Sequence, residues 1–158
     1  MYQSPSRGRL SLNEVYWDIV NYITSSPKDK YNLIIGTDSH NFQDECCFVT
    51  AIIVHRQGKG ARYFFTKQYE RHIESLRHKI FYETSLSVEV AGDLFKKLKK
   101  SSIKDNNLNL EIHLDVGEQG QTKELIREVV GMVLGSGFSP KIKPDSYGAS
   151  KVADKYTK

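Results

Sequence analysis

Polar and apolar positions alternate between two periods along this chain. Leu12, Val15, Tyr16, Ile19, Tyr22 and Ile23 recur at helical spacing and mark one apolar helix face. Ser11-Leu12-Asn13-Glu14 fits a capping box that opens this helix, and Ser25-Ser26-Pro27 closes it. Residues 1–10 carry no such pattern and read as a loose start. A short apolar run then ends in Gly36-Thr37-Asp38-Ser39, which predicts a first strand over Tyr31–Ser39. Asn41–Glu45 reads as a polar turn. A second strand follows over Cys46–Arg56, a hairpin turn over Gln57-Gly58-Lys59-Gly60, and a third strand over Ala61–Lys67. Short turns between them predict an antiparallel meander.

The period then returns to that of a helix over Arg71–Lys100, with Ile73, Leu76, Ile80, Ala91, Leu94 and Leu98 as its stripe. A fourth strand is predicted over Leu108–Val116, with Glu111, His113 and Asp115 on one face and leucines and Ile112 on the other. Thr122–Leu134 reads as a helix ended by Gly135 and Gly137. Phe138–Lys143 reads as a fifth strand stopped by Pro144, and Tyr147–Tyr156 as a last helix. The expectation is an α/β fold with a five-stranded mixed sheet in the order β-β-β-α-β-α-β-α, preceded by an extra N-terminal helix. Residues 1–30 would be an extension whose helix packs on the domain formed by residues 31–158.

Composition narrows this picture only a little. The chain has 158 residues, enough for one domain with a sizeable core. Its net charge of +4 permits an acidic partner such as nucleic acid without demanding one. No apolar run is long enough for a membrane span, and residues 1–10 lack the apolar centre of a signal peptide. Cys46 and Cys47 are adjacent, a poor arrangement for a disulfide, so the expected setting is reducing and cytoplasmic.

The candidate chemistry lies in carboxylates that interrupt apolar elements. A buried charge is costly unless paired or bound to metal, so Asp38 after an apolar run reads either as a functional group or as a turn cap. Continuing the stripe of the long helix through its middle lands on Glu83 or Thr84 and on Ser87. Glu83 therefore reads as a core-facing carboxylate or as one snorkelling at the stripe's margin. Asp115 follows strand four, with His113 two residues before it as an outer partner or a half-buried strand histidine. If strand four lies parallel beside strand one, then Asp38, Asp115 and Asp145 share the sheet edge where open α/β sheets bind ligands, and Glu83 can face it. Four such carboxylates need neutralising, and hard oxygen-seeking cations, Mg²⁺ or Mn²⁺, do that. A pair of such ions is an arrangement used for phosphodiester cleavage.

That element order and those positions resemble the ribonuclease H-like superfamily. Ile35-Gly36-Thr37-Asp38-Ser39-His40, Glu83 with Ser85–Ala91, His113-Leu114-Asp115-Val116-Gly117 and Lys143-Pro144-Asp145-Ser146 through Val152-Ala153-Asp154 look like the YkuK family, a bacterial group within it of unknown function. The resemblance covers about Asn32 to the C-terminus. It implies a metal-dependent nuclease with Asp38, Glu83 and Asp115 as ligands and a fourth from Asp145 or Asp154. These last two stand nine residues apart, about 13 Å along a helix, so a helix starting at Ser146 allows only one to join the site. Geometry favours Asp145, and the Ala153-Asp154 pair, which resembles an element of resolvase-type relatives, favours Asp154. Ser39 and His40 fall at the lip of the site without an assigned role.

The leading expectation is thus cleavage of RNA, an RNA–DNA hybrid or structured DNA. The alternative is a non-catalytic nucleic-acid-binding module in which Lys96, Lys97, Lys99, Lys100, Lys104, Arg62, Arg71 and Arg77 contact phosphates. The lysine run equally suits a solvated helix C-terminus. A third possibility is the related actin-like ATPase fold, compatible with Gly36-Thr37-Asp38, although this chain is short for two such domains.

Overall fold

The computed structural model describes residues 1–101, 103 and 108–146. The helix expected over Tyr147–Tyr156, with Asp154, and Lys104 lie outside them. Within this range the fold is a mixed α/β sheet with helices packed on one face. The elements run β1 (Tyr2–Ser4), β2 (Gly8–Leu10), α1 (Leu12–Thr24), β3 (Tyr31–Phe42), β4 (Glu45–Arg56), β5 (Gly60–Arg71), α2 (Leu76–Lys99), β6 (Leu108–His113), a 3-10 turn (Lys123–Leu125), α3 (Ile126–Gly135) and β7 (Ser139–Lys141).

The sheet has seven strands among the described residues, in the order β2-β1-β5-β4-β3-β6-β7. This corrects the expected five and the expected element order. Residues 1–10 are not loose, because β1 and β2 pair with each other and β1 joins the edge of β5 through Gln3 and Phe65. The inner strands β3, β4 and β5 form an antiparallel meander, while β6 and β7 run parallel to β3. Strand ends also differ. β5 continues to Arg71, where a helix was expected to begin, because it pairs with β4 as far as Glu45. His72 then takes a left-handed φ of 65°, and Ser75 caps α2 by accepting the His78 amide at 3.0 Å. β6 stops at His113, two residues short of Asp115, and β7 is shorter than expected.

α1 forms where the spacing places it. Ser11 and Glu14 close the capping box with reciprocal bonds of 3.0 and 3.1 Å. Its apolar face joins α2 and α3 in one core with Leu33, Ile35, Ile52, Val54, Phe64 and Ile112 of the sheet. Side chains alternate across a strand, and the opposite face carries a smaller cluster of Cys47, Val49 and Phe65. Both cysteines are buried and unbridged. Among the described residues no helix is long and apolar enough to cross a membrane.

Candidate metal centre

The ladder between β3 and β6 ends at the pair Gly36–His113. Asp38 and Asp115 each lie two residues beyond that rung, so two parallel strands release their carboxylates at one height. Glu83 arrives from the second turn of α2. One oxygen of each of these three residues lies within 4.8 Å of the others, and no other such group of three occurs among the described residues.

α2 is held in place by a polar seam rather than by the apolar stripe alone. The gap in that stripe at Glu83, Thr84 and Ser87 is buried. Thr37 Oγ1 lies 2.8 Å from Ser87 Oγ and 2.9 Å from Thr50 Oγ1, tying β3 to both α2 and β4. Ser39, on the same face of β3 as Thr37, donates its hydroxyl to Glu83 Oε2. The Ser39 amide donates to Asp38 Oδ1 at 2.9 Å. Ser39 thus touches two of the three carboxylates. The sequence placed it at the lip without a role; its spacing two residues after Thr37 on the helix-facing side was the available signal.

The three carboxylates crowd negative charge at one place, and the most buried of them carries the cost. Glu83 is only 3% exposed. Its Oε1 is buried without a hydrogen-bond partner among the described residues. Burial, then the charge of Asp115, holds its carboxyl well above the usual range, with Asp38 adding to this and the Ser39 hydroxyl and Lys79 opposing it. An all-oxygen donor set with one unsatisfied buried oxygen fits a hard divalent ion such as Mg²⁺ or Mn²⁺.

A cation is already present beside the group. Lys143 Nζ lies 2.7 Å from Asp115 Oδ1. Its ammonium is held above its ordinary pKa chiefly by its hydrogen bond to Asp115, while its partial burial opposes this and the charges of Asp115, Asp38 and Glu83 add to it. In the sequence Lys143 figured only as the end of the fifth strand and within the family resemblance, with no role of its own. A Cβ at Gly117 would come within 2.9 Å of Lys143 Cβ, the root of that side chain rather than its flexible tip. Gly117→Ala should therefore force apart segments joined by the Lys143 amide to Val116 carbonyl bond of 2.8 Å. The expected loss is about 2 kcal/mol, as for other overpacked sites, or about 4–8 °C in thermal unfolding for a chain of this length. An unchanged melting temperature would refute that tight approach.

The remaining candidates lie elsewhere. Asp145 is exposed in the turn after the cis Lys143–Pro144 bond, its amide bonded to the Ile142 carbonyl at 2.8 Å, and it is not among the three grouped carboxylates. His113 is buried with Nε2 3.1 Å from Glu111 Oε1. His40 is exposed. The three arginines offered as phosphate contacts are engaged: Arg62 with buried Asp18 at 2.7 Å, Arg71 with Glu45 at 3.4 Å, and Arg77 with Glu128 through bonds of 3.1 and 2.6 Å. Lys96, Lys97 and Lys100 line a cleft of about 490 Å³ with Asn13 and Tyr16 of α1. Lys96 is thirteen residues past Glu83, about 20 Å along the helix.

Two comparisons with known proteins bear on the family of this chain. A family model described as Ribonuclease H-like matches residues 14–158. The chain is also 36% identical over 168 aligned positions to the uncharacterized protein YkuK of Bacillus subtilis (strain 168), covering 100% of this chain and 97% of that protein.

Proposed function

From the premise that this chain belongs to the ribonuclease H-like family, we propose that it is a divalent-metal-dependent nuclease acting on RNA, an RNA–DNA hybrid or structured DNA. The observation that carries this reading is the grouping of Asp38, Glu83 and Asp115 with a buried, unpartnered Glu83 oxygen. These three would hold Mg²⁺ or Mn²⁺, with Asp145 or Asp154 as a fourth ligand from the chain beyond β7. When bound, such an ion supplies an activated water and neutralises charge on the phosphodiester.

The chain's own residues prepare that site. Ser39 fixes the Glu83 carboxylate by its hydroxyl and Asp38 by its amide. The Thr37–Ser87 and Thr37–Thr50 bonds hold α2 against β3 and β4, so the glutamate is set before any ligand arrives. This preorganisation matters because a misplacement of about 1 Å can cost two orders of magnitude in rate. Lys143 balances part of the negative charge at Asp115.

The test is direct. Labelled hybrid, single strands and branched DNA are incubated with the protein in Mn²⁺, in Mg²⁺ and in EDTA. Cleavage of at least one substrate that stops in EDTA is the expected result; none on any substrate with either ion would sink the reading. The second reading, a binding module without catalysis, rests on the lysine-lined cleft between α1 and α2. It requires binding that falls steeply with salt and is indifferent to metal.

A further inference from the structure

The position of Lys143 is built rather than incidental. Beyond the β6–β7 ladder the two segments stay joined, with the Leu114 amide donating to the Lys141 carbonyl and the Lys143 amide to the Val116 carbonyl, both at 2.8 Å. Gly117 leaves room for the root of the Lys143 side chain. The backbone is thus fixed beside Asp115 while the side chain remains 54% exposed. Lysine carries a compact charge on a flexible stem of four carbons, so its head can swing from an anchored root.

The ammonium meets only part of the site's need for positive charge. It bonds Asp115 Oδ1, yet Glu83 Oε1 stays unpartnered in the same group. A divalent ion among these oxygens would compete with the ammonium for Asp115. Two cations cannot share that space without strong repulsion, and only the lysine has a stem that lets it leave.

We propose that Lys143 is a resident counter-ion that the divalent metal displaces from Asp115, and that the freed ammonium then takes a phosphate oxygen of the bound nucleic acid. This rests on the nuclease reading above. It makes metal loading and substrate grip one event: the chain offers its phosphate contact only when the metal is in place.

The experiment measures Mn²⁺ affinity by the loss of the free-ion EPR signal for the wild type, Lys143→Gln, Lys143→Arg and Lys79→Gln. Lys79 acts on Glu83 through its charge, so it reports the effect of simply lowering local positive charge. Lys143→Gln is expected to bind Mn²⁺ about five- to tenfold more tightly, Lys79→Gln to change by less than twofold, and Lys143→Arg to stay near the wild type. In a second arm, affinity for fluorescent hybrid, single strands and branched DNA is measured in EDTA and in Ca²⁺. Whichever probe the wild type binds in Ca²⁺ should bind Lys143→Gln about tenfold more weakly, with no difference between the two proteins in EDTA. Equal or weaker Mn²⁺ binding by Lys143→Gln, or an equal gain from Lys79→Gln, overturns the displacement. Equal nucleic-acid loss with and without Ca²⁺ overturns the coupling. A wild type that binds no Mn²⁺ instead overturns the nuclease reading itself, and this inference with it.

Discussion

Glu83→Gln is expected to raise the melting temperature of the metal-free protein by about 4–8 °C while abolishing metal-dependent cleavage. The folded protein holds this carboxyl buried beside Asp115 and Asp38, so its proton is bound more tightly than in the unfolded chain. Below the ordinary glutamate range both states carry the proton and no penalty arises. As pH rises through that range the unfolded chain loses its proton first, and the stability of the wild type falls. Glutamine does not titrate. Its carbonyl can still accept from Ser39, and its amide would face the aspartates as a donor. Removing the burden of a buried charge is worth on the order of 2 kcal/mol, which converts to the stated shift for a chain of this length. Melting curves in EDTA at pH 5 and pH 8 check the sign. The variant's advantage should grow with pH, and a wild type at least as stable as Glu83→Gln at pH 8 would refute it. Added Mn²⁺ should reverse the order, because only the wild type retains the ligand.

The same residue shows why part of the site could be read in the sequence. Glu83 falls where the apolar stripe of a long helix continues, a position the period shared between it and Thr84, and a carboxylate there has few structural uses. Asp38 and Asp115 were legible because each follows an apolar strand. Their convergence followed from one parallel pairing, and the Gly36–His113 rung supplies it.

What was missed has physical reasons of its own. Alternation of polar and apolar residues reports burial, not hydrogen bonding. β3 therefore looked shorter than it is, because the exposed His40–Phe42 continues to pair with Glu45–Cys47, while β4 gains only Glu45. β5 runs on through Lys67-Gln68-Tyr69-Glu70-Arg71 for the same reason. β1 and β2 have three residues each, too few for any period to show. Lys143 escaped because its role comes from a neighbour distant in sequence. Its charge has meaning only once Gly117 and Asp115 stand beside it, and no local pattern encodes that approach.

Asp38→Asn should remove cleavage by on the order of 10³-fold or more, the scale expected when metal-based stabilisation of the reacting phosphate is lost, with little harm to the fold. Asparagine keeps the side-chain oxygen that accepts the Ser39 amide, a bond of 2.9 Å in the wild type. It removes one of the three negative charges that would neutralise a divalent ion at this group. The stability readout separates this from unfolding. Mn²⁺ at a hundredfold excess over its dissociation constant should stabilise the wild type by about 2.7 kcal/mol, about 5–11 °C here. Asp38→Asn and Asp115→Asn should lose most of that shift, and Asp38→Asn should melt in EDTA no lower than the wild type, since it relieves repulsion on Glu83. The same titration on Asp145→Asn and Asp154→Asn assigns the fourth ligand: the variant that loses the shift held the ion. Cleavage by Asp38→Asn at the wild-type rate, or a full Mn²⁺ shift in that variant, would remove this aspartate from the centre and leave the group of three carboxylates without the role proposed for it.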